Sequence, residues 1–126
     1  MLRKLVFIAA VIAAAGFPAG AQNGGFAANA RYALVVGNGN YRELGRLKNP
    51  AVDARDVAAV LEKLAFTVET LIDADLPSME DAVVRLGNRL STAKDAVGFF
   101  FFAGHGVQSG GVNYLVPADA RIPTEA

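Results

Sequence analysis

The segment AVGFFFF, residues 96–102, is apolar from end to end. A strand with one wet face alternates polar and apolar side chains, whereas a strand covered on both faces has no need to. The segment therefore reads as a buried strand. RYALVV, residues 31–36, stopped by GNGN, reads the same way. Between them, NPAVDARDVAAVLEKL has Asn49 in a capping position and Pro50 suited to a first helical turn. Val57, Leu61 and Leu64 then recur at helical spacing, in a stripe widened by Ala54, Ala58 and Val60. FTVETLID, residues 66–73, reads as a second strand. LPSMEDAVVRLGNRL reads as a second helix, with Asp81 three residues after Ser78 as its entry signature and Met79, Val83, Leu86 and Leu90 on one face. GVNYLVP, residues 111–117, is a short fourth strand after a glycine-rich turn. The order β-α-β-α-β-loop-β predicts an α/β fold with a mostly parallel sheet, helices on both faces and right-handed crossovers.

The first residues belong to a different pattern. MLRKLVFIAAVIAAAGFPAGAQ has two cations, an apolar run from Leu5 to Ala15, a break at Gly16 and Pro18, and small residues at Ala19-Gly20-Ala21. This is the plan of a secretory signal cleaved after Ala21, and the run is too short for a comfortable transmembrane helix. Residues 1–21 are thus predicted to be a signal peptide, 22–30 a flexible lead and 31–126 the domain. The protein is expected to be exported, to the periplasm or the medium, with no stable membrane insertion after cleavage. Without Arg3 and Lys4, ten basic residues face twelve acidic ones, a formal −2. No basic patch remains, which argues against nucleic acid as a partner. An exported chain has access to disulfides, yet this one has no cysteine and so no thiol nucleophile either.

In open α/β sheets functional residues gather beyond the carboxyl ends of the strands. Two loops here are rich in glycine and polar groups: GNGNYRELGRLKN after the first strand and AGHGVQSGG after the third. If those strands are parallel neighbours, the loops lie side by side. The second loop holds the single histidine, His105, between Gly104 and Gly106, where the chain leaves the core. An imidazole there is fit to take and return a proton, and a neighbouring backbone N–H is fit to stabilise an oxyanion. A tight turn carrying an incidental histidine explains the same residues. One His and no Cys make no metal site. Gly37-x-Gly39 lacks the third glycine of a dinucleotide loop, because Arg42 stands there, and the phosphate-loop pattern is missing. Asp53 and Asp56 suit a helix N-terminus, and Arg42, Arg46 and Lys48 suit a solvated loop.

Taken together, ALVVGNGNY, NPAVDARDV, FFFFAGHGVQ and NYLVPADA resemble, in order, the N-terminal, larger-subunit half of a caspase-like peptidase domain, nearest the bacterial metacaspase-like branch. The resemblance runs from about Arg31 to Ala120. It implies a three-layer caspase-like fold, N-terminal part only, and a cysteine endopeptidase with a Cys–His dyad acting on polypeptide substrates. His105 matches the catalytic histidine, and Gly106 matches the glycine whose N–H helps form the oxyanion hole. Asp53 matches the aspartate that lines the pocket for a basic residue, which implies cleavage after Arg or Lys. Ala103 stands where many metacaspases have serine. No cofactor is implied. Calcium dependence occurs among metacaspases, and no residue here is assignable to it. The family nucleophile follows the histidine by roughly 50 residues on the next main strand, whereas this sequence carries 21 residues after His105. Ser109, in a glycine turn without triad context, does not replace it. The expectation is a sequence that covers the domain up to the nucleophile strand and is inactive alone. The alternative is a non-catalytic pseudoenzyme that serves as an interaction or scaffold module.

Overall fold

Each of the two apolar runs becomes a central strand. In the computed structural model, which describes residues 3–14 as backbone and residues 29–121 in full, β2 (Arg31–Gly37) and β4 (Val97–Ser109) pair in parallel, from Arg31 opposite Val97 to Gly37 opposite Ala103. β3 (Thr67–Ile72) pairs in parallel with the other edge of β2. Parallel neighbours need crossovers, and α1 (Pro50–Lys63) and α2 (Leu76–Thr92) supply them.

Side-chain alternation divides the core in two. Odd-numbered Ala33, Val35, Phe101 and Ala103 pack against Ala54, Ala58 and Leu61 of α1. Even-numbered Leu34, Val36 and Phe102 pack against Met79 and Ala82 of α2. The result is the expected three-layer α/β arrangement, with β2 and β4 buried on both faces.

Several local expectations change. β4 does not end at Phe102 but runs on through the supposed loop to Ser109. The reason is pairing: β5 (Val112–Leu115) folds back on it as an antiparallel hairpin, closed by Gly110 and Gly111 at φ 56° and 79°. Such positive φ values suit glycine, and two in succession fit a tight hairpin turn. Helix α2 starts earlier than its Ser78 signature suggests. Asp75 is the N-cap, and its carboxylate accepts the Ser78 N–H at 2.9 Å. Asn49 sits at the N-cap of α1, but its side chain caps nothing. The apolar stripes are narrower than read. Val60, Leu64 and Val83 are about half exposed, because α1 and α2 each bury only the strip centred on their alanines.

β1 (Arg3–Ala14), inside the predicted signal, lies antiparallel along the whole outer edge of β4, with Val6 opposite His105 and Leu5 opposite Gly106. That edge of β4 is therefore covered, and the sheet order is β1-β4-β2-β3 with β5 on β4. Most of the predicted flexible lead, and the last five residues of the domain, lie outside the described residues. No helix among the described residues is long and apolar enough to cross a membrane.

Candidate functional site

Because β2 and β4 are parallel neighbours, the carboxyl end of β2 at Gly37 lies beside Ala103, two residues before His105, and the Asn38 N–H donates to the Ala103 carbonyl at 2.8 Å. The predicted juxtaposition of the two glycine-rich segments is real, although one of them is strand rather than loop. His105, an odd residue of β4, points to the same sheet face as α1, as Phe101 and Ala103 do. It is half-buried.

The imidazole is held by the loop after β2. Its Nε2 lies 2.6 Å from the Gly45 carbonyl oxygen. A carbonyl only accepts, so in the neutral ring Nε2 carries the proton and Nδ1 keeps its lone pair. The ring also packs on Tyr41, with centroids 4.6 Å apart and planes at 59°. The Tyr41 hydroxyl accepts the His105 backbone N–H at 2.8 Å and donates to the Val116 carbonyl at 3.1 Å. Burial pushes the Tyr41 phenol up to about 12, so it stays protonated and able to donate. Neither Tyr41 nor Gly45 was legible as a site residue. The only signal was a lone aromatic in a polar loop.

Gly104 has a steric cause: a Cβ there would sit 2.5 Å from the Tyr41 hydroxyl oxygen and 2.8 Å from Phe102. Gly106 is different. The His105 N–H and C=O face Tyr41 and Val116 on the β2 and β5 side. Backbone groups alternate along a strand, so those of Gly106 face the other edge, where β1 lies. Asp53 sits half-buried in the first turn of α1. It lines a cleft of about 330 Å³ with Leu47, Lys48, Asn49, Pro50, Ala103 and Gly104. Ser109 is exposed next to the hairpin turn. Four residues of extended strand, about 13 Å, separate it from His105.

A larger polar cavity of about 470 Å³ lies behind Tyr41 and includes Asp73, Asp75 and Asp119. Their carboxylates are occupied by backbone N–H groups. Asp73 accepts from Gly39 and Asn40, Asp75 from Ser78, and Asp119 from Leu76. These aspartates tie loops together. Among the described residues no group of three His, Cys, Asp or Glu side chains is placed to hold a metal ion.

The profile of the caspase domain matches residues 30–125. The chain belongs to the caspase family. Among curated relatives of this caspase domain is human mucosa-associated lymphoid tissue lymphoma translocation protein 1, 38% identical over 93 residues, which are 74% of this chain and 11% of the relative. The mouse homologue is 35% identical over 102 residues, 81% of this chain and 12% of its own length. The chain thus spans about a tenth of the curated relatives it matches. Both are mammalian, so the similarity supports the caspase domain at large and not a bacterial branch of it. No solved structure matches the chain significantly.

Proposed function

We propose that this domain is the histidine-bearing part of a caspase-type cysteine endopeptidase, with metacaspase-like preference for Arg or Lys before the cut. The observation that carries the reading is the imidazole of His105 on β4, just beyond the carboxyl end of the neighbouring β2, with Nε2–H given to the Gly45 carbonyl and Nδ1 left as a base. In this reading Nδ1 takes the proton of a thiol, the thiolate attacks the peptide carbonyl, and the imidazolium returns the proton to the leaving amine. The Gly45 carbonyl supports the imidazolium that forms between the two steps. Gly106 N–H stabilises the oxyanion, which requires the β4 edge to be free of β1 there. Removal of residues 1–21 during export accomplishes this. Asp53 supplies the negative wall of the pocket for the basic side chain.

The sequence contains no cysteine, so the nucleophile is placed outside residues 1–126. The same fact supports the second reading, a non-catalytic caspase-like module that binds other proteins. The test is to read the coding frame beyond codon 126, express its product and assay Arg- and Lys-containing peptides with and without His105→Ala. Cleavage that drops by about 10²-fold or more in the variant supports the peptidase reading. A stop codon directly after Ala126, with no cleavage, supports the module.

A further inference from the structure

The β4–β5 ladder stops one residue short of where it should. Gly106 pairs with Leu115, so the next pair is His105 with Val116, and half of it is present, with the Val116 N–H donating to the His105 carbonyl at 3.0 Å. In an antiparallel ladder the return bond would run from the His105 N–H to the Val116 carbonyl. Instead the Tyr41 hydroxyl stands between them, accepting from the first at 2.8 Å and donating to the second at 3.1 Å. A phenol from another loop has been inserted into a β-ladder at the histidine. The insertion needs room, and the absence of a Cβ at Gly104 provides it.

We propose that Tyr41 is the positioning residue of His105: its hydroxyl fixes the histidine backbone by replacing one ladder bond, its ring sets the plane of the imidazole, and its loop brings the Gly45 carbonyl to Nε2. The proposal rests on the reading of His105 as the general base. Tyr41 is 6% exposed and lies four residues before Gly45, so the residue that grips β4 also anchors the segment that selects the tautomer. Its phenol, held protonated up to about 12, donates to Val116 throughout the range in which an imidazole works as a base.

The chain has one histidine, so histidine-labelled protein gives a single imidazole to observe by nitrogen-15 NMR. The wild type is expected to show the Nε2–H tautomer, and a slowly exchanging tyrosine hydroxyl proton close to the His105 amide. Tyr41→Phe keeps the ring and removes the bridge. It is expected to populate the Nδ1–H tautomer and to speed exchange of the His105 amide by about tenfold, the scale of one lost hydrogen bond. Should Tyr41→Phe fail to fold, the wild-type hydroxyl proton decides alone. A freely exchanging hydroxyl, or an unchanged tautomer and amide in a folded Tyr41→Phe, overturns the proposal. These readouts do not depend on proteolysis. Cleavage that survives His105→Ala would remove His105 as the general base and leave the tautomer result standing. An unchanged tautomer would sink the role of Tyr41 and leave the peptidase reading standing.

Discussion

The side chain of Asn38 closes on the backbone of Ala74. Its Oδ1 accepts the Ala74 N–H at 2.9 Å, while its Nδ2 lies 3.4 Å from the carbonyls of Ala74 and Val116. Asn38 is fully buried, so these contacts stand in for water at the point where β2, β3 and the segment after β5 meet. Asn38→Ala leaves the Ala74 N–H without a partner in the core, while the Ala74 and Val116 carbonyls keep the Ala118 N–H and the Tyr41 hydroxyl. It is expected to lower stability by about 2–3 kcal/mol in chemical denaturation. A loss below about 0.5 kcal/mol would mean the clip is idle.

Gly37 touches the start of α1. A Cβ there would collide with the Pro50 carbonyl oxygen and lie 2.7 Å from the Ala54 Cβ. Gly37→Ala therefore has to push α1 outward, and Asp53 with it. The expected cost is about 1–3 kcal/mol, as for overpacking elsewhere. Amide shifts along the first turn of α1 should accompany it, and a variant as stable as the wild type would show that the helix is not seated as described.

Tyr41 gives a pH dependence with a definite sign. Below pH 10 its phenol is protonated folded and unfolded, and pH has no effect through it. Between the ordinary value of 10.0 and about 12 the unfolded chain releases the proton and the folded chain keeps it. The unfolded state then binds fewer protons, so stability falls as pH rises, by about 2–3 kcal/mol across that window. Denaturation of wild type and Tyr41→Phe at both ends of the window checks this. The variant should lack that share of the decline, and equal slopes would contradict it.

Much of the layout was legible. Unbroken apolar runs at residues 32–36 and 96–102 reported burial on both faces, and the helical spacing between them reported the crossovers. The site was legible only through His105 and its place at the end of an apolar run. The extension of β4 to Ser109 depends on β1 and β5 pairing with it, and local pattern does not carry long-range pairing. Asp75 as the cap of α2 was hidden by the stronger Ser78–Asp81 pattern. The turn after α1 uses Ala65 at φ 64°, where a glycine would have announced it. Tyr41 was hidden because its hydroxyl bonds join residues 64 and 75 positions away.

The position of β1 makes a further expectation testable. Even-numbered amides of β4 face β1, and odd-numbered ones face β2 and β5. A chain lacking residues 1–21 should lose hydrogen-exchange protection at Phe100, Phe102, Gly104 and Gly106 and keep it at Phe99, Phe101 and Ala103. Its bare edge should also promote self-association. Uniform protection along β4 would show that β1 does not guard the edge.

The central claim is that His105 is the general base of a caspase-type peptidase, and peptide cleavage by the product of the complete coding frame tests it most directly. The account predicts cleavage after Arg or Lys that is lost in a folded His105→Ala variant. Equal cleavage by both proteins, or none by either, would contradict it.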